Sequence, residues 1–273
     1  MRLGIATGLK HSSPEEWARQ LKGHGVGSVL FPVNSNQQEK EILAYKAAAE
    51  REQLLIAEVG IWRNAISLDE QERNENMDWS IAQLKLADRV GARCCVNVAG
   101  AAGEKWDGAY RENFSQKTWE RTVRMIQEVI DEAKPQNTFF TIEPMPWMVP
   151  SGPEEYLRLL EDVNRERFAV HMDIINMINT PDRYFNMEMF TKKSFDLLGP
   201  YIKSCHVKDI SLLEQYTFQL RECACGEGEY PLEIYAQLAS ELDPDMPFII
   251  EHLDSDEAYL ESLTYVKHRL ASV

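Results

Sequence analysis

Four short apolar runs in this chain each end in a side chain that can bind a metal ion or move a proton. Residues 138–143 (TFFTIE) close on Glu143, 168–173 (FAVHMD) on Asp173, 202–206 (IKSCH) on His206 and 247–251 (PFIIE) on Glu251. A single carboxylate at a strand end serves as readily as a helix cap or an ion-pair partner. Four at the same place in four β-prone runs point to one shared site, because the C-terminal strand ends of a parallel barrel all face one mouth. Two glutamates, an aspartate and a histidine make a mixed oxygen and nitrogen set suited to one divalent ion: Mn2+, Mg2+, Co2+ or Zn2+. Such an ion polarises a carbonyl and lowers the pKa of the adjacent C–H. Glu143 and Glu251, arriving from different strands, can then remove and return a proton. That chemistry interconverts an aldose and a ketose, or inverts a carbon beside a carbonyl. With a leaving hydroxyl at the β-carbon, the same enolate loses water instead.

The elements that must position these groups follow from periodicity. Eight β-prone runs occur at residues 2–6, 28–33, 54–59, 93–98, 138–143, 168–173, 202–207 and 247–251. Helical spacing predicts helices at 14–21 (capped by Ser13), 39–52, 74–90 (ending at Gly91), 117–133, 154–163, 194–198, 232–242 and 258–270. Strict alternation implies a parallel sheet, and eight units favour closure into a single (β/α)8 TIM barrel. At 273 residues the chain has the usual length for that fold as one domain, 1–273. Two loops leave strand C-termini and should overhang the mouth: 99–116, with Trp106, and 209–231, with a short β-like run and Gly226-Glu227-Gly228.

Side chains two apart on a strand share a direction. His171 should therefore face the pocket with Asp173, Lys208 with His206, and Glu58 with Gly60 and Trp62. Those residues, Asn97 on the fourth strand, Trp106 and Trp147 complete the expected substrate lining. The tryptophans would stack on the apolar face of a sugar, and Lys208 would stabilise an enolate oxygen or shuttle a proton. Structural alternatives stand beside each assignment: His171 as a core histidine, Lys208 paired with Asp209 or Glu251, and each tryptophan as packing.

The chain carries a net charge of −15, so nucleic acid and anionic membrane surfaces are excluded as partners by repulsion. Its 44% hydrophobic and 27% charged content is that of a soluble globular protein. No run has signal-peptide layout or membrane-spanning length, which points to a cytoplasmic protein. Five cysteines without disulfide spacing read as reduced thiols, and the Cys223–Cys225 pair lacks the partners of a zinc site.

At this level of detail the chain resembles the xylose isomerase-like TIM-barrel superfamily of sugar phosphate isomerases and epimerases. The resemblance rests on TIEPMPW (141–147), VHMDIIN (170–176), CHVKD (205–209), GEGEYP (226–231) and IIEHL (249–253), in this order along nearly the whole chain. It implies one divalent metal, often manganese, held by Glu143, Asp173, His206 and Glu251, with the two glutamates as the acid/base pair. It also implies a small carbohydrate, keto-sugar or polyol substrate and a possible homo-oligomer. Ketose 3-epimerases of this superfamily carry a histidine, a glutamate and an arginine where this chain has Asn176, Val149 and Leu212, which argues against a plain ketose 3-epimerase. The multi-zinc endonuclease branch is excluded by Asn97 and by the acidic charge. The HVKD segment is closer to inosose dehydratases, inosose isomerases and hydroxypyruvate isomerases. Three readings result: a metal-dependent sugar isomerase or epimerase; a dehydratase or glycoside-eliminating lyase using the same enolate; and a non-catalytic sugar-binding barrel.

Overall fold

Each of the eight β-prone runs forms a strand that pairs in parallel with its neighbour. In the computed structural model, which describes residues 1–271, the barrel strands are β1 (Arg2–Ile5), β2 (Ser28–Leu30), β3 (Leu55–Gly60), β4 (Cys94–Asn97), β5 (Phe139–Ile142), β6 (Phe168–Met172) and β7 (Ile202–Val207). A hairpin of β8 (Asp209–Leu213) and β9 (Gln219–Cys223) intervenes before the last barrel strand, β10 (Pro247–Ile250). The order around the sheet is β1-β10-β7-β6-β5-β4-β3-β2. The ring nearly closes between β1 and β2. There the Gly27 amide donates to the Leu3 carbonyl at 2.8 Å, and Ser28 Oγ donates to the Arg2 carbonyl at 2.7 Å. A Cβ on Gly4 would lie 2.5 Å from the Ser28 carbonyl oxygen, so only glycine lets the two backbones approach this closely.

The helices are α1 (Pro14–Gly23), α2 (Glu39–Arg51), α3 (Glu70–Val90), α4 (Gln116–Ala133), α5 (Pro153–Val163), α6 (Ile174–Met177), α7 (Pro181–Phe185), α8 (Met187–Leu198), α9 (Leu232–Leu242) and α10 (Asp256–Leu270). Side-chain caps fix several starts: Ser13, Asp69, Ser115 and Ser255 each accept the amide three residues on. Gly91 ends α3 in the left-handed conformation at φ 74°. The expected helix at 194–198 is longer, starting at Met187, and the stretch before it is not loop but α6 and α7. Two caps that apolar periodicity does not reveal account for this: Asp173 over the Asn176 amide and Thr180 over the Arg183 amide, with Pro181 following.

Strands and helices bury one core between them, with Trp17, Tyr156, Tyr235, Phe140 and Phe248 fully enclosed. Two of these aromatics also act on the strand ends. The Tyr235 hydroxyl sits 2.9 Å from the Met172 carbonyl and 3.2 Å from the His206 carbonyl, and the Tyr156 hydroxyl hydrogen-bonds the backbone of Ile142 and Ala169. A buried phenol needs such partners, and here they lie next to three of the four strand-end groups. Among the described residues no helix is long and apolar enough to cross a membrane.

Candidate metal centre and substrate cavity

Glu143 and Glu251 stand one residue past the regular strands, but each is still tied into the ladder. The Glu143 amide donates to the Asn97 carbonyl at 2.8 Å and the Glu251 amide to the Val207 carbonyl at 3.2 Å. Asp173 follows β6 and caps α6, so the structural and the chemical readings of this residue both apply. His206 lies inside β7. One ligand atom from each of Glu143, Asp173, His206 and Glu251 falls within 4.8 Å of the others, and all four residues are buried. The barrel thus brings together the four groups singled out from the sequence.

Further contacts fix their orientation. Asn176 Nδ2 donates to Glu143 Oε1 at 3.0 Å. Lys208 Nζ bridges Asp173 Oδ2 and Glu251 Oε1. His206 points Nδ1 at Glu251 Oε2, 2.7 Å away, with Glu143 Oε1 at 3.6 Å, and its Nε2 lies 3.2 Å from Glu58 Oε2.

The electrostatics follow from burial and crowding. Burial and the neighbouring Glu251 push the Glu143 carboxyl up, but His206 and His171 outweigh them and bring it down to about 2. Burial also opposes ionisation of Glu251, yet His206 and Lys208 hold it well below the usual carboxylate range. Asp173 goes the other way. Although Lys208 touches it, burial first and then the charges of Glu251 and Glu143 drive it well above an ordinary aspartate. His206 resists charging through burial but is driven well above the usual histidine range by Glu251, Glu58 and Glu143. His171 is lowered to about 4 by burial and by His206 and is neutral at physiological pH.

Four buried carboxylates, Glu58 included, therefore crowd around two buried cations, Lys208 and His206, with the exposed His252 at the edge beside Glu251. That excess helps to raise the Asp173 pKa, and a divalent cation would relieve it. His206 Nδ1 is buried with no hydrogen-bond partner and faces two carboxylates. Once that nitrogen gives up its proton, a cation between its lone pair and the carboxylate oxygens would satisfy it. The donor set, its charge and this orphaned nitrogen all fit a divalent ion.

Above the cluster opens a cavity of about 400 Å³, a suitable size for a small ligand. Glu143, His206 and Glu251 form part of its lining, with Leu30, Val98 and Met145 as apolar wall and Trp62, Trp106, Asp107, His252 and Tyr259 around them. Trp62 and His252 both adopt positive φ, 50° and 57°, an uncommon conformation for such side chains. A Cβ on Gly60 would lie 2.1 Å from Trp62 Nε1, so that glycine makes room for the indole.

The structure places several of the expected substrate contacts away from the cavity wall. Glu58 and His171 do point inward, but from a deeper layer, fully buried and absent from the cavity wall. Strand parity fixes the face of a residue and not its depth, and each pair of residues moves the layer by about 6.6 Å. Asn97 is also buried; its amide exchanges hydrogen bonds with the Arg63 backbone at 2.9 and 3.1 Å and so props the segment that carries Trp62. Trp147 leaves the cavity wall to donate from Nε1 to the Asp107 carbonyl at 2.8 Å, bracing the 99–116 loop. Lys208 is buried and occupied by Asp173 and Glu251 rather than reaching into the cavity. Trp62 and Trp106 do line it.

Sequence reasoning passed over Asp107, His252, Tyr259 and Glu222, and took Asn176 only as a departure from the ketose 3-epimerase pattern. His252 was in view as the residue after Glu251, and a polar residue beside a strand-end ligand is the one signal that could have flagged it. Glu222 reaches over from the hairpin to accept from His252 Nδ1 at 2.9 Å and lies 3.5 Å from Lys208 Nζ. The hairpin is anchored by Asp209, whose carboxylate accepts the amides of Ile210, Gly226 and Tyr230, so the Gly226–Gly228 turn wraps a carboxylate of its own chain.

A carboxylate–imidazole cluster at the C-terminal mouth of a (β/α)8 barrel, beneath a partly aromatic cavity, defines the class of this protein. The xylose isomerase-like TIM barrel family profile matches residues 10–269, and the chain belongs to that family. No curated protein matches it. Solved structures with the same fold include D-psicose 3-epimerase with D-tagatose from Clostridium cellulolyticum (TM-score 0.73, 14% identity, covering 100% of this chain and 99% of that one). Another is the probable 3-DHS dehydratase AsbF of petrobactin synthesis from Bacillus anthracis (0.74, 16%, 98% and 98%). A third is a xylose isomerase-like TIM barrel protein from Mycobacterium smegmatis in complex with magnesium (0.68, 16%, 94% and 88%). At these identities the likeness is one of fold.

Proposed function

We propose that this protein is a divalent-metal-dependent isomerase or epimerase of a small sugar or keto-sugar, with Glu143 and Glu251 transferring a proton beside a carbonyl. The observation that carries this reading is the convergence of Glu143, Asp173, His206 and Glu251 within 4.8 Å at the floor of the cavity. Glu143, Asp173, His206 and Glu251 would hold the ion, with Mn2+ the first choice for so carboxylate-rich a set and Mg2+, Co2+ or Zn2+ as alternatives. When bound, it would polarise the substrate carbonyl and acidify the neighbouring C–H.

The chain's own groups divide the remaining work. Glu143 is held ionised and accepts a hydrogen bond from Asn176, an amide with no proton to give up, which suits it to the role of base. Glu251 has a route to solvent: His252 Nε2 is 3.4 Å from Glu251 Oε2, and the His252 side chain is 54% exposed. A proton delivered along that route can return to substrate from the Glu251 side. Trp62 and Trp106 offer flat apolar surface to a sugar's C–H face, while Asp107 and His252 offer partners for its hydroxyls.

A lyase working through the same enolate is the second reading, favoured by a fold as close to the AsbF dehydratase as to the psicose epimerase. Incubation of the manganese-loaded protein with keto-sugars and inososes in D2O, followed by NMR and mass spectrometry, separates the two. Deuterium gain without mass loss supports isomerisation; loss of water or aglycone supports the lyase. A ligand that binds without α-carbon exchange would instead favour a non-catalytic barrel.

A further inference from the structure

Glu58 is a carboxylate buried to 1% exposure in β3, below the cavity and out of reach of any substrate there. A buried charge needs a strong reason, since an unpaired carboxylate in a protein interior is costly. Its partners supply one. Oε1 accepts from Ser204 Oγ on β7, and Oε2 lies 3.2 Å from His206 Nε2, two residues along the same strand. In the ring order, three strands separate β3 from β7 on either side, so Glu58 reaches straight across the barrel axis to the strand that carries His206.

The two nitrogens of His206 thus have different surroundings. Nε2 meets a carboxylate fixed by a serine, whereas Nδ1 meets Glu251 and Glu143 at the cavity floor. The imidazole proton can sit on only one nitrogen of the neutral ring. On Nδ1 it would donate to Glu251 and close the donor position. On Nε2 it satisfies Glu58 and leaves the Nδ1 lone pair free, directed between the two glutamates. His171 packs edge-on against the His206 ring at 4.0 Å between centroids and limits its rotation. His171 Nδ1 comes within 3.5 Å of Glu58 Oε1 without hydrogen-bonding it; that oxygen already accepts from Ser204, which leaves Oε2 to His206.

We infer that Glu58 is a positioning residue of the metal centre: it holds the proton of His206 on Nε2, fixes the ring, and raises the donor strength of Nδ1 toward a divalent cation. The inference rests on the metal-binding reading above. A carboxylate behind a ligating histidine is a known way to tune such sites, and losing it weakens metal binding 10- to 100-fold. Glu58, His171 and His206 also lie close enough together to hold a cation themselves, which makes a second ion the competing account.

The experiment is an equilibrium titration of the full-length protein with Mn2+ against a competing chelator, in wild type, Glu58→Gln and Glu58→Asp. We expect one equivalent to bind in each. Glu58→Gln, which keeps size and hydrogen-bonding capacity but not charge, should bind 10- to 100-fold more weakly, with Glu58→Asp between it and wild type. The metal-free melting temperature shows whether each variant folds. Should Glu58→Gln fail to fold, wild-type protein with 15N-labelled histidine and bound Cd2+ still decides the matter: its NMR signals should place the metal on Nδ1 and the proton on Nε2 of His206. Binding by Glu58→Gln within twofold of wild type, metal on Nε2, or two equivalents in wild type falling to one in Glu58→Gln would each overturn the assignment. Absence of any Mn2+ binding by wild type would instead remove the metal reading itself, and this inference with it.

Discussion

Asn176 Nδ2 donates to Glu143 Oε1 at 3.0 Å, from the first turn after the strand that delivers Asp173. One short helix therefore ties two of the four cluster carboxylates, because Asp173 caps it and Asn176 orients Glu143. An amide cannot take over the proton that Glu143 accepts, so its contribution is orientation and stabilisation of the charge. A hydrogen bond to a charged group contributes about 1.5–3 kcal/mol. Asn176→Ala should lower kcat about tenfold or more while leaving Mn2+ affinity within a few-fold of wild type. Steady-state kinetics beside a metal titration check this, and an unchanged kcat would confine Asn176 to a structural role.

Glu143→Gln and Glu251→Gln remove the two proposed proton-transfer groups without altering their size. Each should lower turnover about 100-fold or more, the scale of a lost general acid or base. The two should differ in D2O. Glu143 lines the cavity, so in Glu251→Gln the proton it takes can pass to cavity water, whereas Glu143→Gln lacks the group that removes it. Any residual exchange of the substrate α-proton should thus survive better in Glu251→Gln, where the base remains. Full activity in either variant would sink the pair assignment.

Much of this arrangement was legible in the sequence because it is local. Strand-like runs alternating with helical spacing carry the barrel, and a carboxylate or imidazole at the end of an apolar run carries the cluster. Depth and cross-barrel contact are not local. Parity put Glu58 and His171 on the inner face, but the layer they occupy depends on the register of strands far apart in sequence. Asn97 and Trp147 are polar-tipped residues at strand and loop ends that satisfy backbone groups instead of facing the cavity. Lys208 followed the expected direction, and its structural alternative, pairing with Glu251, is the one the fold adopts, with Asp173 as a second partner that sequence reasoning did not name. The helices between Asp173 and Met187 were lost because each is shorter than two turns and depends on a cap rather than an apolar face.

Lys208 is the only ammonium that touches Asp173 and Glu251 among the described residues, and all three are buried. Lys208→Met would keep the apolar stem and remove the charge. Breaking a buried ion pair by deleting one partner destabilises by about 3–5 kcal/mol. Urea denaturation of the metal-free variant should show a loss of that order, and Mn2+ should recover part of it by supplying the missing positive charge. A metal-free variant as stable as wild type would mean that Asp173 and Glu251 need no counter-ion.

The metal-free and metal-bound proteins should respond to pH in opposite ways. His206 has a folded pKa well above its ordinary 6.5, so its contribution to metal-free stability is complete below 6.5 and is lost as pH rises through the folded value. Asp173, also raised, has the same sign. Glu143 runs the other way: its contribution is present above 4.5 and is lost as pH falls toward about 2. Binding at His206 Nδ1 requires that nitrogen to be free of a proton, so metal affinity should climb with pH. The rise in melting temperature on adding Mn2+ should therefore be larger at pH 8 than at pH 6. A rise independent of pH would argue against His206 as a ligand.

The cavity wall also predicts what the site rejects. Among the described residues no lysine or arginine lines it, whereas Asp107, Glu143 and Glu251 do. Lys208 lies beneath and is held by Asp173 and Glu251, and His252 is held by Glu222. A phosphate ester brings close to two negative charges with no free cation to meet them. A ketose should accordingly bind the manganese-loaded protein at least about tenfold more tightly than its terminal phosphate, a difference of about 1.4 kcal/mol. Quenching of tryptophan fluorescence measures both affinities, because Trp62 and Trp106 form part of the wall. Trp62→Ala should weaken the two ligands by the same factor, since stacking on the sugar ring is common to both. If the phosphate bound as tightly as the parent sugar, the ester would have to sit outside these walls, and the carboxylate-lined cavity would not be where selectivity for charge is set.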